Sequence, residues 1–402
     1  MIILKFNLIH IYFWLIKNIY IPKLRFKGFD NQYNKIKLCD VLFYEQPTKY
    51  IVKSDEYNDS FDTPVLTANK SFILGKTDEK TGIYSKGPVI IFDDFTMENK
   101  YVDFDFKVKS SAIKFLTTDS KNNLFYLYQL ININPFTING HNRHWIRFSS
   151  QEIKWICSLE EQEKISKFFS LLDQQISLLE NKLQLIEQKL KYFINELLKT
   201  NNGFPTIRFK GFNGIWMNDY IKNIFTITRG LVIAKNKIIN ESNEKFCYPV
   251  YSSQTENDGL MGYYNEYLYE NAITWTTDGA KAGTVNYRNK KFYCSNVCGV
   301  LLEKEYKPNL CFSLIIQKES KKYVVKDLGN PKLMNNIMAK IKIYFPNQIE
   351  EQDKISIFLN LFKIQKELIK NLISSIRRKK EYFLKNMFIN SAQKGGDNNE
   401  TS

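Results

Sequence analysis

The sequence predicts an α+β protein with a pseudo-two-fold internal repeat, in which two α/β bodies alternate with two long helices that pair as an antiparallel coiled coil. Three observations predict it. An aromatic and basic opening segment occurs twice, a Glu-Glu-Gln helix start occurs twice, and each copy encloses a strand-rich stretch whose sequence is not repeated.

Taken in chain order, residues 1–20 form an apolar N-terminal extension. Ile2 to Tyr20 is greasy enough for a membrane segment, but Lys5, Asn7, His10, Lys17 and Asn18 interrupt it and no small-residue cleavage site follows. It reads as an extra helix or a mis-assigned start, with membrane attachment as the alternative. The first body, residues 21–150, opens with Ile21-Pro22-Lys23-Leu24-Arg25-Phe26-Lys27-Gly28-Phe29. That segment returns as Phe204-Pro205-Thr206-Ile207-Arg208-Phe209-Lys210-Gly211-Phe212 at the head of the second body, residues 204–340, and Leu38, Val41 and Leu42 then match Ile221, Ile224 and Phe225. Both bodies are rich in Tyr, Phe, Ile, Val and Thr punctuated by Gly, Asn and Asp, which favours strands and tight turns. Pro88-Val89-Ile90-Ile91-Phe92 and Phe246-Cys247-Tyr248-Pro249-Val250-Tyr251 are examples.

The helical regions are residues 151–203 and 341–390, with a polar tail at 391–402. Glu160-Glu161-Gln162-Glu163-Lys164-Ile165-Ser166 recurs as Glu350-Glu351-Gln352-Asp353-Lys354-Ile355-Ser356. From Glu160 to Lys199 there is no Pro or Gly, and Ile165, Phe169, Leu172, Ile176, Leu179, Leu183, Ile186, Leu190, Phe193 and Leu197 alternate by four and three, a coiled-coil seam. Such a helix is about 60 Å long at 1.5 Å per residue. The matching register in the second helix is Ile355, Leu359, Phe362, Lys366, Ile369, Ile373, Ile376, Lys380, Phe383 and Met387. Pairing the two helices antiparallel would bury both seams and hold the bodies at a fixed separation. Lys366 and Lys380 weaken the seam, so packing of each helix on its own body or on another subunit stays open.

A formal charge of +15 with 15% aromatic residues favours an anionic partner, nucleic acid first, because clustered Lys and Arg gain free energy by releasing counterions from phosphates. Cys39, Cys157, Cys247, Cys294, Cys298 and Cys311 are scattered, without a Cys-x-x-Cys pair or a zinc-completing His, which points to a reduced, cytoplasmic chain with no metal site of its own. Catalytic motifs are thin. Asn134-Pro135-Phe136 lacks the second Pro of a base-holding methyltransferase loop. Gly279-Ala280-Lys281-Ala282-Gly283 lacks the Lys-Thr of a phosphate-binding loop and reads as a turn that brings Lys281 close to a backbone phosphate or is a plain hairpin. Asp93-Asp94 with Asp105-Phe106-Lys107 fits a sparse nuclease pattern, yet Val102 to Lys109 also alternates like a strand with one charged, exposed face. His141, Arg143 and His144 have no nucleophile beside them and are expected to cap the first body or contact phosphate.

The repeated Arg-Phe-Lys-Gly-Phe segment, the two Glu-Glu-Gln helix starts and the closing Lys379-Lys380-Glu381-Tyr382-Phe383-Leu384-Lys385-Asn386-Met387-Phe388 together resemble the specificity subunits of type I restriction-modification systems, over roughly residues 21–390. Ile227-Thr228-Arg229-Gly230, Tyr248 to Tyr251 and the Gly279 to Gly283 turn with Val285 resemble one version of that family's target-recognition domain. Gln46 to Tyr50, Thr63 to Thr67, Val89 to Phe95 and Arg143-His144-Trp145 resemble another. Two features depart from the pattern: Cys157-Ser158-Leu159 stands where members carry Pro before Glu-Glu-Gln, as Pro346 does in the second half, and the extension before Ile21 is atypical.

The resemblance implies a subunit without chemistry of its own, in which each target-recognition domain reads one half of a bipartite, asymmetric site in double-stranded DNA. The helices would set the gap, two methyltransferase subunits would bind along them, and two motor-nuclease subunits would join for cleavage. S-adenosylmethionine, ATP and magnesium would belong to those partners, with no cofactor here and no membrane. Base readout needs Arg, Lys, Asn or Gln at groove-facing positions, while phosphate contacts need charge and reach. The DNA-binding candidates are Lys49, Lys53, Lys70, Lys76, Lys109 and Lys114 in the first body and Arg229, Ser252, Gln254, Lys281 and Arg288 in the second. Tyr50, Tyr84, Tyr251, Trp275 and Tyr287 are expected in the core rather than as stacking platforms. Two other readings stay open: a stand-alone metal-dependent nuclease using Asp94, Asp105 and Lys107, and a membrane-attached coiled-coil adaptor using Ile2 to Tyr20.

Overall fold

The computed structural model describes residues 21–67, 71–134, 140, 142–253, 256–325 and 329–389, so the apolar extension and the polar tail lie outside the described residues. Among the described residues no helix is long and apolar enough to cross a membrane. The chain divides into two compact units, Met1–Leu178 with Ile373–Ser402, and Leu179–Leu372. The division cuts both long helices, so each unit contains one body and a segment of each helix.

In the first unit the elements are β1 (Asn34–Lys37), β2 (Phe43–Glu45), β3 (Thr63–Leu66), β4 (Ile73–Thr77), β5 (Val89–Asp93), β6 (Asn99–Val102), β7 (Lys107–Val108), β8 (Ile113–Thr117), α1 (Leu124–Ile133), α2 (Trp145–Ser149), β9 (Glu152–Trp155) and the start of α3 (Leu159–Leu197). The order β2-β8-β5-β6 makes an antiparallel sheet, β4-β3-β7 a second sheet with β3 and β7 parallel, and β1 pairs with β9. β5 lacks alternation because both its faces are covered. Ile90 and Phe92 enter a core shared with α1, α2 and the α3 residues Ile165 and Phe169, while Val89 and Ile91 enter a smaller core with Tyr50, Leu66 and Phe106.

After α3 the second unit continues with β10 (Thr200–Asn201), β11 (Phe204–Pro205), β12 (Met217–Tyr220), α4 (Ile221–Ile224), β13 (Phe225–Arg229), β14 (Tyr248–Tyr251), β15 (Leu260–Tyr264), β16 (Ala272–Thr276), β17 (Val285–Arg288), β18 (Tyr293–Cys294), β19 (Cys298–Glu303), α5 (Leu310–Ser320), α6 (Asn335–Met338), β20 (Lys342–Phe345) and α7 (Ile349–Met387). β10 and β11 form a short hairpin. The remaining strands repeat the first body: β13-β19-β16-β17, β15-β14-β18, and β12 with β20. β9 and β20 close their bodies by pairing back to the opening strands β1 and β12. The stretch from Val102 to Lys109 is not one strand. Asp103, Phe104 and Asp105 form an exposed bend between β6 and β7, and Phe106, Lys107 and Val108 are all buried.

The repeated sequence motifs build one junction twice. Arg25 donates from Nε and Nη2 to the two Glu161 oxygens at 2.7 Å each and from Nη1 to the Asn31 carbonyl. Arg208 does the same to Glu351 at 2.8 and 2.7 Å and to the Gly214 carbonyl. Lys164 lies over the Phe26 and Phe29 rings, and Lys354 over Phe209 and Phe212. The glycine within each motif, Gly28 at φ +98° and Gly211 at φ +102°, takes the left-handed turn that a side chain would resist. Gln162 donates to the Ile156 carbonyl and Gln352 to the Pro346 carbonyl, both at 2.7 Å. Ile156 therefore stands in the place of Pro346, and Ser158 supplies the turn, its Oγ accepting from the Glu161 amide. Proline is not needed there because the glutamine bonds a carbonyl that any residue offers.

The helices lie side by side and antiparallel within each unit. Phe168 meets Phe383 in the first, and Phe193 meets Phe358 and Phe362 in the second. The two seam lysines are matched across the pair, Lys380 to Asp173 at 2.6 Å and Lys366 to Glu187 at 2.8 Å, which removes the objection that they leave unpaired charge.

Glu351 is 1% exposed, and Arg208→Ala would strand its carboxylate, at an expected cost of about 3–5 kcal/mol. Arg208→Met combined with Glu351→Leu should recover most of that loss. Denaturant midpoints of the two variants check this, and equal destabilisation in both would show that the ion pair is not its source.

Candidate nucleic-acid interface

On the second body a polar cleft of about 190 Å³ opens between β16, β17, Cys298 of β19, the segment that follows β14 and the Gly279 to Gly283 turn. It gathers three candidates, Ser252 from one stretch of sequence and Lys281 and Arg288 from another. Arg288 is held flat, its guanidinium carbon 3.5 Å from the centroid of the Tyr251 ring. Its Nε donates to Thr274 Oγ1 at 3.2 Å and its Nη2 to the Asp258 carbonyl at 2.6 Å. Burial lowers its pKa, with Tyr251 and Asp258 acting in the opposite direction, and a guanidinium so placed remains a cation across the ordinary pH range.

Lys281 is exposed at the tip of the turn. Gly279 and Gly283 have φ of +100° and +81°, and a Cβ on Gly283 would come within 2.8 Å of Val324, so the tight turn depends on both glycines. Ser252 Oγ accepts from Ser295 Oγ at 2.8 Å. The cleft also holds residues that the sequence reading missed, chiefly Asn286 and Thr284. Asn286 was recoverable in principle. On β17, Val285 faces the main core, so the alternate positions Asn286 and Arg288 share the other face.

The other candidates fall elsewhere. Arg229 is exposed at the end of β13, Lys53 is exposed, and Lys76 is half-buried on β4. Lys49 is exposed and paired with Glu45 at 3.2 Å, while Lys109 is paired with Asp55. Lys70 and Gln254 lie outside the described residues. Lys114 is not a surface residue. At 5% exposure on β8 it meets Asp94 at 3.4 Å and the Tyr44 ring at 4.5 Å, so its charge is used inside the body. Tyr50, Tyr84 and Trp275 are core as expected, whereas half-buried Tyr251 is the platform under Arg288 and Tyr287 bonds Asn271.

The nuclease triplet is dismantled by its own hydrogen bonds. Asp94 Oδ1 accepts from the His144 and Trp145 amides at the start of α2, and Asp93 Oδ1 from the Phe95 and Thr96 amides. Lys107 Nζ meets Glu79 at 2.9 Å and the Thr81 carbonyl at 2.6 Å, while Asp105 is exposed in the bend. Among the described residues no group of three His, Cys, Asp or Glu could hold a metal. His144 is buried as the residue that opens α2, and Arg143 lies over the Phe95 ring; His141 lies outside the described residues.

The two bodies share a strand frame but not its side chains. With Ile90 and Ile273 both opposite a leucine of the neighbouring strand, Leu116 and Leu301, the position of Arg288 corresponds to Val102 and that of Tyr251 to Leu66. Both first-body residues are fully buried and apolar. One frame therefore carries an arginine on a tyrosine in one body and core side chains at the matching positions of the other.

Comparison with known proteins places this frame. Residues 213–378 match the family described as the type I restriction modification DNA specificity domain. The specificity subunit of the type I restriction enzyme EcoR124I/EcoR124II of Escherichia coli is 37% identical over 251 residues, 59% of this chain and 59% of that protein. A chain named as a type I specificity subunit in Mycoplasma pneumoniae is 38% identical over 179 residues, 43% of this chain and 73% of that one. The crystal structure of the type I restriction-modification S subunit from M. genitalium superposes with a TM-score of 0.71, covering 92% of this chain and 99% of that one at 15% identity, a likeness of fold. With the opening motifs, helix starts and strand frame all accounted for, the chain belongs to the type I restriction-modification specificity subunits.

Proposed function

We propose that this chain selects DNA for a type I restriction-modification complex and leaves the chemistry to its partners. Each target-recognition domain reads one half of a bipartite, asymmetric site in double-stranded DNA. Two methyltransferase subunits then modify adenine, and two motor-nuclease subunits cleave, bringing S-adenosylmethionine, ATP and magnesium with them. The observation that carries this reading is the repeated frame with unlike side chains, Arg288 over Tyr251 lining a cleft in one body and the core residues Val102 and Leu66 at the matching positions of the other. A duplicated reader that bound the same half-site twice would have no use for that divergence.

A second stripe on the helices supports the partner assignment. Outside the paired seam, Leu171, Leu178, Leu185 and Tyr192 recur at heptad spacing on α3, each more than half exposed, and Ile357, Leu361, Ile364, Leu368 and Leu372 follow on α7. Apolar rows of this kind are left to be covered by other helices.

Exchanging residues 30–145 for the first domain of another specificity subunit should change one half of the methylated motif and leave the other intact. Methylome sequencing of a host carrying the exchange reads this, and a change in both halves sinks the modular account. Within the second body, Arg288→Ala should cost about 1–3 kcal/mol for the specific site and relax selectivity at one base pair, because a fork on a base edge carries sequence information. Lys281→Ala should weaken all duplexes alike and lower the salt slope by about one, as loss of a phosphate contact does. Titrations at several salt concentrations separate them, and interchange of the two behaviours would reverse the assigned roles. On the helices, Leu178→Asp with Leu185→Asp should abolish co-purification of the methyltransferase subunit without changing the helical circular dichroism. Unimpaired co-purification would remove the exposed stripe from the partner interface.

A further inference from the structure

The segment that follows β13 is built unlike an ordinary solvated loop. Leu231 is 55% exposed and Val232 78%, adjacent apolar residues at a tip without regular secondary structure. Exposed single apolar residues are common, but this pair is held in place. Its base is pinned by the Gly230 amide to the Cys298 carbonyl at 3.0 Å and the Leu231 amide to the Cys294 carbonyl at 3.1 Å. A Cβ on Gly230 would come within 2.1 Å of the Cys294 carbonyl oxygen, so the close approach requires glycine. The far side ends in a 3-10 turn, Lys235–Lys237, closed by the Lys237 amide on the Ala234 carbonyl.

Two facts give the tip an occupant. Arg229, Lys235 and Lys237 flank it and are exposed, an arrangement that suits a polyanion with an apolar interior. The turn that anchors it also walls the polar cleft, since Cys298 lines the cleft and Ser295 bonds cleft residue Ser252. A duplex whose base edges meet Arg288 would therefore run close to the tip. Apolar side chains supported by flanking cations are what proteins insert between base steps to unstack and bend a duplex.

We infer that Leu231 and Val232 form a wedge that opens a base step beside the half-site read by the second body, with Arg229, Lys235 and Lys237 on the adjoining phosphates. The inference rests on the DNA-reading function above and adds DNA deformation to it. Selectivity would then include how easily the step at the wedge unstacks, at base pairs that no polar side chain contacts.

The test uses the full chain with its methyltransferase partner, on synthetic duplexes carrying the motif methylated in the host. Companion duplexes each contain one mismatch, placed in turn at successive steps of the second half-site. Leu231→Ala with Val232→Ala should bind the matched duplex about tenfold more weakly and regain most of that loss on the duplex whose mismatch lies at the wedged step, because the step is already open. Leu231→Met with Val232→Leu, which keeps an apolar tip, should bind as the parent does. Undiminished binding by the alanine variant overturns the wedge, as does an equal loss on every duplex. Loss of the methyltransferase subunit from the alanine variant would make the tip a protein contact and overturn it too. A parent complex that shows no preference for the motif over random duplex fails at the earlier step and brings down the DNA-reading function with the wedge.

Discussion

Glu161 and Glu351 are each 1% exposed in the first turn of a long helix, and a carboxylate sealed from water must have its charge answered. The helix N-terminus supplies part of the answer. Arg25 and Arg208 supply the rest, and because a guanidinium fork fits a carboxylate in one plane, each arginine also fixes where its opening segment lies on the helix. From that point the chain has little freedom. The Gly28 and Gly211 turns bring two aromatic rings against Lys164 and Lys354, and the opening strands β1 and β12 find β9 and β20 just upstream of the helices they serve.

The same junction reaches into the bodies. Gln162 accepts from the Asn123 amide and Gln352 from the Asn309 side chain, and those asparagines cap α1 and α5 through the Tyr126 and Phe312 amides. One glutamine thus ties the end of the body, the start of the long helix and the cap of a packed helix together. A residue with so many partners is replaceable only with all of them, which gives a physical reason for near-identical helix starts in two halves whose intervening sequences differ.

What the sequence made legible follows the range of the interactions involved. Heptad spacing is local, and the residues assigned to the seam include Ile165, Phe169, Leu359 and Ile373, all buried. The fit of Lys366 and Lys380 was hidden because Glu187 and Asp173 come from the other helix. The same blindness misplaced Lys107 and Lys114. A lysine is an exposed residue by default, and only a distant Glu79 or Asp94 makes it an interior one. In the cleft, chemistry picked out Arg288, Lys281 and Ser252, but their meeting depends on β14 and β17 reaching one place, a matter of strand order that residue types do not encode.

The sheet also explains how one frame tolerates two different sets of side chains. A strand sends alternate residues to opposite faces, so β5 and β16 act as walls between two packed regions. Ile90 and Phe92, like Ile273 and Trp275, face the large core that includes the long helices, while Val89 and Ile91 on one strand and Ala272 on the other face smaller clusters. The small clusters adjoin the variable strands β3 with β7 and β14 with β18. Substitutions there repack a satellite cluster of a few side chains, and the wall keeps them out of contact with the junction. Divergence of sequence is therefore confined to one face of a strand while the other face stays under the constraint set by a buried carboxylate.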